Sequence, residues 1–379
     1  MTEAKSPLVV LAAGGTGGHV FPAEALAVEL KSRGCRLVLI TDLRGGSFGG
    51  SLDSIETHHI RAAGVVGKNV AALLKSAPEL AIGTWQARSL LKKMQPDAVV
   101  GFGGYASVPT MLAAEYSGIK TAIHEQNAVL GRANRLLAAK AGKIATSFAK
   151  VKGLSEDLKD RQVVTGMPVR PRVVAMRDVP YPALDDRCPI NILVLGGSQG
   201  ASIFSEVLPE ALSLIPPKLR ARINITQQCR PENIEETRSS YRGSNVTAEL
   251  STFFDDVPER MAKAHLVISR SGASSVAEIA AIGRPAMLVP YPFSADDHQT
   301  ANAYAVAEAG AGWLMPQPAF TPLTISTRLE ALFGMPETLQ HAAAASRAAS
   351  LPDAAKKMAD MVSALLESNG ENNGKKVAA

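Results

Sequence analysis

The stretch LVVLAAGGTGGHVFPAEALAVEL, Leu8 to Leu30, decides the fold. Its first six residues are uniformly apolar, as in a strand that is buried on both faces of a sheet. From Val20 onward the apolar side chains recur at helical spacing. A strand that passes through a glycine-rich turn directly into a helix is the first unit of a parallel sheet covered by helices, so the sequence predicts an α/β domain.

The turn itself holds Gly14, Gly15, Thr16, Gly17 and Gly18, followed by His19. Such a loop leaves main-chain N–H groups open at a helix start, which favours an anionic or hydroxyl-rich ligand. It is not a dinucleotide fingerprint, because Val20 stands where the third glycine would be needed, and it lacks the lysine of a P-loop. One glycine would indicate a tight turn, whereas four in five residues indicate a binding loop.

The same alternation of apolar runs and amphipathic stretches continues outward in two series. The predicted strands are residues 36–41, 97–102, 121–126 and 162–166 in the first series, and 191–197, 222–228, 265–270 and 285–291 in the second. The segment between the two series is rich in proline and charge, as linkers are.

We therefore expect two Rossmann-like α/β domains facing a cleft. The first domain spans residues 1–170, a linker covers 171–189, and the second domain spans 190–345. A helix at 346–367 is expected to pack back on the first domain. Residues 368–379 have no apolar content to bury, which predicts a disordered tail.

Bulk composition excludes several classes of protein. The net charge is +5 over 379 residues, but Lys and Arg are dispersed and aromatic residues make up only 5%, which disfavours nucleic-acid binding. The three cysteines lack the spacing of a zinc site or a disulfide framework. No apolar run reaches the roughly 20 residues that a membrane-spanning helix needs. The basic balance instead fits an anionic nucleotide-sugar or an anionic lipid.

Two more glycine loops follow predicted strands. The loop GGSQG, Gly196 to Gly200, precedes a helix, and the hydroxyl of Ser198 with the helix start suits a diphosphate. The loop GFGGYASVP includes Gly103, Gly104 and Tyr105. Open α/β sheets bind ligands at the carboxyl ends of their strands, where these loops lie.

Two polar stretches are less generic. SRSGASSVAEI, Ser269 to Ile279, places Glu278 in a helix where its carboxylate can accept hydrogen bonds from a ribose diol. HEQN, His124 to Asn127, directly follows a predicted strand, and four consecutive polar residues cannot all belong to a core. Glu125 and Asn127 are the stronger candidates for reading sugar hydroxyls, because His124 by itself is equally a structural histidine.

These motifs, in this order, resemble the MurG family of glycosyltransferases over nearly the whole chain. The segments that carry the resemblance are GGTGGHVFP (14–22), GFGGYAS (101–107), HEQN (124–127), GMPVR (166–170), GGSQGA (196–201), SRSGASSVAEI (269–279) and DDHQTANA (296–303). The resemblance implies a glycosyltransferase-B fold. It also implies inverting transfer of N-acetylglucosamine from UDP-GlcNAc to the C4 hydroxyl of undecaprenyl-diphosphate-linked MurNAc-pentapeptide, by a peripheral enzyme at the cytoplasmic face of the bacterial inner membrane.

The resemblance also implies roles for individual residues. Thr16, Gly17, Gly18 and Asn127 would contact the donor sugar and phosphates, Arg170 and Ser198 the diphosphate, Phe254 the uracil, and Gln299 the GlcNAc hydroxyls. Arg270, Ser271, Gly272, Ala273, Ser274 and Glu278 would hold the nucleoside, with Glu278 on the ribose, and Gly103, Gly104 and Tyr105 would lie on the acceptor side. No metal and no cofactor are expected. Met167 departs from the asparagine common in the family, and His298 precedes Gln299 where some members have a second glutamine.

The transfer needs a base that takes a proton from the acceptor hydroxyl. His19 is the first candidate, because it adjoins the glycine loop and its side chain titrates near neutral pH. Glu125 is the second candidate.

A lipid acceptor implies contact with an anionic membrane surface. Lys68 to Lys93 mixes Leu74, Ile82 and Trp85 with basic residues, which fits membrane docking and a domain core equally. Two rival functions stay open: a UDP-GlcNAc 2-epimerase, and a non-enzymatic nucleotide-sugar-binding scaffold at the membrane. Release of UDP that depends on a lipid acceptor distinguishes the transferase from both.

Overall fold

The computed structural model describes residues 6–14, 17–42, 52, 54–62, 70–185, 187–197 and 200–367. These residues form two compact units, one comprising the chain up to Arg170 together with the chain from Leu351 onward, and the other comprising Pro171–Ser350. Each unit is built on one parallel sheet, so the predicted pair of Rossmann-like α/β domains is confirmed. Thr16, Ser198 and the predicted tail 368–379 lie outside the described residues.

The first unit alternates strands and helices along the chain. Its elements are β1 (Leu8–Ala12), α1 (Gly17–Ser32), β2 (Arg36–Asp42), β3 (Glu56–Ile60), α2 (Val70–Met94), β4 (Ala98–Gly101), α3 (Gly104–Tyr116), β5 (Lys120–Glu125), α4 (Arg132–Leu137), β6 (Lys143–Thr146) and β7 (Gln162–Val164). The strand order is β3-β2-β1-β4-β5-β6-β7.

β1 lies at the centre of this sheet and is buried along its whole length. Val9 pairs with Leu37 of β2 on one side and with Ala98 of β4 on the other. Val10 contributes to the core on one face of the sheet and Leu11 to the core on the other. This explains why the strand is apolar at every position instead of alternating.

The second unit repeats the plan. Its elements are α5 (Pro171–Val174), β8 (Ile190–Leu195), α6 (Ser202–Ser213), α7 (Pro217–Arg220), β9 (Ile223–Gln228), α8 (Ile234–Gly243), β10 (Thr247–Ser251), α9 (Val257–Lys263), β11 (Leu266–Ser269), α10 (Ala273–Ile282), β12 (Ala286–Leu288), α11 (His298–Glu308), β13 (Gly312–Leu314), α12 (Pro322–Gly334) and α13 (Pro336–Ala349). The strand order is β10-β9-β8-β11-β12-β13.

The helix α14 (Ala354–Glu367) belongs to the first unit although it follows the second unit in the chain. Its apolar face, which includes Met358, Val362 and Leu365, is part of the core that contains Leu11. α14 packs beside α1, and Arg33 of α1 forms a salt bridge of 2.8 Å with Asp360.

A buried arginine, Arg284, holds residues 179–180 against the rest of the second unit. The guanidinium of Arg284 is fully buried and donates to the main-chain oxygens of Val179 and Pro180. It also donates to the oxygens of Ala262 and Ile282, near the carboxyl ends of α9 and α10. Since helix carboxyl ends carry partial negative charge, these main-chain carbonyls stabilise the buried guanidinium.

Four strands escaped the sequence prediction, namely β3, β6, β10 and β13. β3 reads Glu-Thr-His-His-Ile and is mostly accessible, because it is the edge strand of its sheet. β10 is the corresponding edge strand of the second sheet and is also mostly accessible. An edge strand that is partly solvated does not carry the continuous apolar run by which the central strands are recognised.

Candidate active site

The two sheets reverse their strand order at the same place, between β1 and β4 in the first unit and between β8 and β11 in the second. The carboxyl ends of the strands at such a reversal form the ligand-binding crevice of open α/β sheets. In the first unit the predicted glycine loops flank this point. Gly104 has a φ of +69°, and a Cβ there would lie 3.3 Å from Nε2 of His19 and 3.7 Å from the Gly14 oxygen. Glycine at 104 therefore leaves room for the imidazole.

His19 is the third residue of α1 and is half-buried. Its Nδ1 lies 2.8 Å from the main-chain oxygen of Phe102, at the end of β4. The same Nδ1 lies 2.8 Å from the side-chain amide of Gln126, which follows β5. Residues at two separate strand ends thus fix the orientation of the ring, with Nε2 towards the start of α3.

Glu125 lies beneath this site and is only 1% exposed. Its carboxylate accepts hydrogen bonds from the main-chain N–H of Asn127 (2.9 Å) and of Gly131 (2.8 Å), and from the side chain of Asn134 (2.8 Å). Burial raises the pKa of Glu125, and these donors lower it in part. The contacts make Glu125 a residue that holds the loop after β5. Its predicted role as a second candidate base stays a prediction, and the geometry favours His19.

His124 is fully buried in the core of the first unit. Its ring packs against Phe102 with the centroids 6.0 Å apart, and its Nε2 lies 3.3 Å from the hydroxyl of Ser147. Burial lowers the pKa of His124 to about 4, so the side chain is neutral at neutral pH. These contacts are those of a structural histidine, the alternative that the sequence left open.

Asn127 is the member of HEQN that reaches the surface, being only half-buried. Its side-chain amide lies 3.3 Å from the Glu125 carboxylate, which orients it. Asn134 was missed by sequence reasoning, since an asparagine in a short helix looks like a surface residue. Its side chain is buried and donates to the His124 oxygen at 3.0 Å.

Arg170 is the last residue of the first unit before the chain enters the second unit. Its guanidinium lies over the ring of Phe21 on α1, 4.9 Å from the centroid. Gly103 has a φ of +79°, and a Cβ there would be 3.5 Å from the His19 ring. Tyr105 is half-buried in the first turn of α3. Of the sequence-predicted residues of the first unit, Gly103 and Gly104 therefore border His19, and Arg170 contacts α1 at Phe21.

In the second unit the loop after β8 is tightly built. A Cβ on Gly196 would lie 2.4 Å from the main-chain nitrogen of Ala201, so this position requires glycine. Arg230 follows β9 and packs on the loop, its Cγ 2.9 Å from where a Cβ on Gly200 would stand. The Nε of Arg230 is buried and has no hydrogen-bond partner within the part of the chain that the structure describes. This places an unpredicted cation beside the predicted diphosphate loop.

Arg270 follows β11 and joins the strand ends of the second unit. Its guanidinium donates to the main-chain oxygens of Val289 and Pro290, each at 3.1 Å. It lies 5.5 Å from the ring centroids of both Phe204 and Tyr291. Arg270 therefore fixes the segment after β12 over the start of α6.

Ser271 and Gln299 connect the loop before α10 to the start of α11. The buried hydroxyl of Ser271 donates to the main-chain oxygen of Gln299 at 2.8 Å. The side-chain amide of Asn302 donates to the main-chain oxygen of Ser271 at 3.0 Å. The side-chain oxygen of Gln299 accepts from the N–H of Tyr291 at 2.9 Å. With Oε1 so engaged, the Gln299 side chain is fixed in orientation.

The start of α10 is uncapped by a side chain. Gly272 is its N-cap, and a Cβ there would have no described atom within 4 Å, so no side chain covers the helix start at this position. Glu278 lies further along α10 and is 8% exposed. The predicted nucleoside segment thus combines an open helix start with a carboxylate.

Phe254 is 8% exposed, and the Arg260 guanidinium covers its ring at 4.4 Å from the centroid. Its neighbour Phe253 is exposed. A uracil contact at Phe254 would therefore be made by main-chain atoms and not by stacking of its ring.

Among the described residues, no group of three or more His, Cys, Asp or Glu side chains could hold a metal ion. Within the same residues, none of the helices has the length and apolar character needed to cross a membrane.

Family models match both halves of the chain. The model described as glycosyltransferase family 28 N-terminal domain matches residues 9–146, and the glycosyltransferase family 28 C-terminal domain matches residues 191–358.

Curated relatives match nearly the whole length. A protein of Paramagnetospirillum magneticum is 56% identical over 96% of this chain and 98% of its own length. A protein of Rhodospirillum rubrum is 55% identical over 94% of this chain and 91% of its own length. Each is named UDP-N-acetylglucosamine–N-acetylmuramyl-(pentapeptide) pyrophosphoryl-undecaprenol N-acetylglucosamine transferase.

Solved structures agree. The crystal structure of Acinetobacter baumannii MurG matches with a TM-score of 0.77 and 31% identity, covering 94% of this chain and 99% of that one. A UDP-N-acetylglucosamine 2-epimerase matches with a TM-score of 0.61 and 15% identity, covering 93% and 94%. At that identity the second likeness shows the fold alone.

Proposed function

The chain belongs to glycosyltransferase family 28 and is a glycosyltransferase, and we propose that it transfers N-acetylglucosamine from UDP-GlcNAc to lipid-linked MurNAc-pentapeptide. The observation that carries this proposal is the match of 96% of the chain, at 56% identity, to a relative named for that transfer. The likeness to the crystal structure of MurG supports it. The epimerase alternative has support from the fold alone.

The second unit would hold the donor. The open start of α10 suits the nucleoside and its phosphates, with the Glu278 carboxylate accepting hydrogen bonds from the ribose diol. Gln299, oriented by the Tyr291 N–H, would read the GlcNAc hydroxyls. Ser198, and Arg170 of the first unit, would bind the diphosphate and stabilise the charge of the departing UDP.

The first unit would supply the base. As the acceptor C4 oxygen bonds to the anomeric carbon, the bond from that carbon to the phosphate oxygen breaks and UDP leaves with the electron pair. His19 would take the hydroxyl proton, because its ring is fixed and half-exposed, whereas Glu125 is 1% exposed and holds main-chain N–H groups. Attack from the face opposite the leaving group inverts the anomeric configuration.

We further propose that the first unit docks on an anionic membrane surface, as a peripheral enzyme at the cytoplasmic face. Trp85 on α2 is 72% exposed, Ile82 is also exposed, and basic residues follow in the last turn of α2. On the neighbouring helix α3, Tyr116 is 65% exposed and Lys140 lies over its ring at 5.0 Å. Exposed aromatic rings beside lysines are typical of an interfacial membrane anchor.

The docking is tested with vesicles that contain an anionic phospholipid. Trp85→Glu should lower the bound fraction while the rate with a water-soluble acceptor analogue is unchanged, and Val28→Glu on α1, also an exposed apolar position, serves as the control. Equal vesicle binding by the two variants and the unmodified protein would remove the docking proposal.

The transfer is tested by incubating the protein with UDP-GlcNAc, with and without a lipid I analogue. The proposal expects UDP release that depends on the acceptor, together with a product that carries one added GlcNAc. Epimerised UDP-sugar in the absence of acceptor would support the epimerase. Binding of UDP-GlcNAc with no turnover under either condition would support the scaffold.

A further inference from the structure

The Nδ1 atom of His19 has two neighbours, and they require opposite hydrogen-bond roles of that nitrogen. Phe102 offers a carbonyl oxygen at 2.8 Å, which can only accept a hydrogen bond. Gln126 offers its amide nitrogen at 2.8 Å, which can only donate. One ring nitrogen cannot donate to the first and accept from the second at the same time.

The other end of the same amide resolves the conflict. Among the residues that the structure describes, the buried Oε1 of Gln126 has no hydrogen-bond partner, and leaving a buried polar atom unpaired is unfavourable. The two ends of an amide have nearly the same size, so rotation of the group by 180° keeps the packing. Oε1 then lies at Nδ1, and both oxygens accept from one Nδ1–H.

We propose that Gln126 is a positioning residue that, with the Phe102 carbonyl, holds His19 as the Nδ1–H tautomer. Nε2 then carries the lone pair, and it is the atom that takes the proton from the acceptor hydroxyl. This inference rests on the proposed role of His19 as base. An orienting partner on the far nitrogen is how imidazole bases are generally held in the productive tautomer.

A neutral amide has a different effect from a carboxylate at this position. Among the described residues, the titratable groups of this region include His124 and Glu125 on and after β5, Tyr105 at the start of α3 and Asp42 beside Gly14. His124 is neutral at neutral pH because burial lowers its pKa to about 4. Gln126 thus orients the ring without adding a negative charge that would favour the imidazolium.

The test reads the tautomer directly and independently of turnover. Nitrogen-15 NMR of the imidazole should find the proton on Nδ1 in the unmodified protein, and Gln126→Met should shift the population towards Nε2–H. We expect kcat of Gln126→Met to fall on the order of tenfold, with KM for UDP-GlcNAc changed by less than about twofold. Gln126→Glu keeps an oxygen at Nδ1 and should move the acidic limb of the kcat profile to higher pH.

Gln162→Met is the matched control, because Gln162 also lies in the first unit and bonds Thr146 and Ala149 instead of a histidine. It should leave tautomer, kcat and pH profile unchanged. An Nε2–H tautomer in the unmodified protein, or an unchanged tautomer and pH profile in both Gln126 variants, would overturn the proposal. Full turnover by His19→Ala would instead refute the base assignment, and the tautomer measurement would still stand.

Discussion

The strand ends of the two units use polar residues in opposite ways. After β5 in the first unit, Glu125 and Asn134 are buried and bonded to each other and to the main chain. After β11 in the second unit, Gly272 leaves a helix start open, and Phe293 beyond β12 is exposed. A rigid buried network suits a group that must be held for proton transfer, and an open helix start suits a ligand that must enter and leave.

The strongest way to break this comparison is to remove the imidazole from the first unit. His19→Ala should lower kcat at saturating acceptor about 10²- to 10⁴-fold, because general base catalysis contributes that much. KM for UDP-GlcNAc should change little, and the measurement is the rate of acceptor-dependent UDP release.

Glu125→Ala is the informative companion variant. If His19→Ala kept near-normal turnover while a folded Glu125→Ala lost it, the two assignments would have to be exchanged. Thermal unfolding of both variants distinguishes lost chemistry from lost structure.

A second prediction concerns stability, and it compares one buried histidine in each unit. The pKa of His124 is lowered to about 4, whereas an unfolded chain has a value near 6.5. As pH falls from 7 to 4 the unfolded imidazole takes up a proton before the folded one does. Over this pH range the contribution of His124 should therefore lower the free energy of unfolding by about 3 kcal/mol. Urea unfolding at pH 7, 5.5 and 4 measures it.

His124→Phe should lack that part of the pH dependence. His265→Phe in the second unit is the comparison variant, since burial lowers the pKa of His265 as well. The His265 ring lies in hydrogen-bond contact with the Asn191 N–H and the Ala183 oxygen, and its replacement should also reduce the loss of stability at low pH. Identical pH slopes for His124→Phe and the unmodified protein would show that His124 does not control acid stability.

The smallest expected effect comes from the open side of the comparison. Glu278→Ala should raise KM for UDP-GlcNAc on the order of tenfold, the value of lost charge-assisted hydrogen bonds, and leave kcat at saturating donor nearly intact. Glu330→Ala on α12, an exposed carboxylate of the same unit, is the control. A loss of kcat without a change in KM would place Glu278 in the chemical step. It would contradict the assignment of donor binding alone to the second unit.

The sequence predicted much of this fold because the central strands are continuous apolar runs. The runs LVVLAA and NILVLGG predicted β1 and β8, together with the glycine loops that follow these strands. The edge strands β3 and β10 could not be recognised, because partial solvation removes the pattern. Three-dimensional proximity was equally hidden: His19 and Gln126 are 107 residues apart. Nothing in the local sequence assigns that glutamine to the histidine.

The crossing of the chain back into the first unit has a consequence for biosynthesis. Residues from Leu351 onward complete a core that was begun by Leu8–Ala12, so a helix made after the whole second unit closes the sheet of the first. The second unit, a continuous segment, has its entire sequence available before that helix is made. We therefore expect the second unit to complete its fold during translation before the first unit does, although the first unit begins earlier in the sequence.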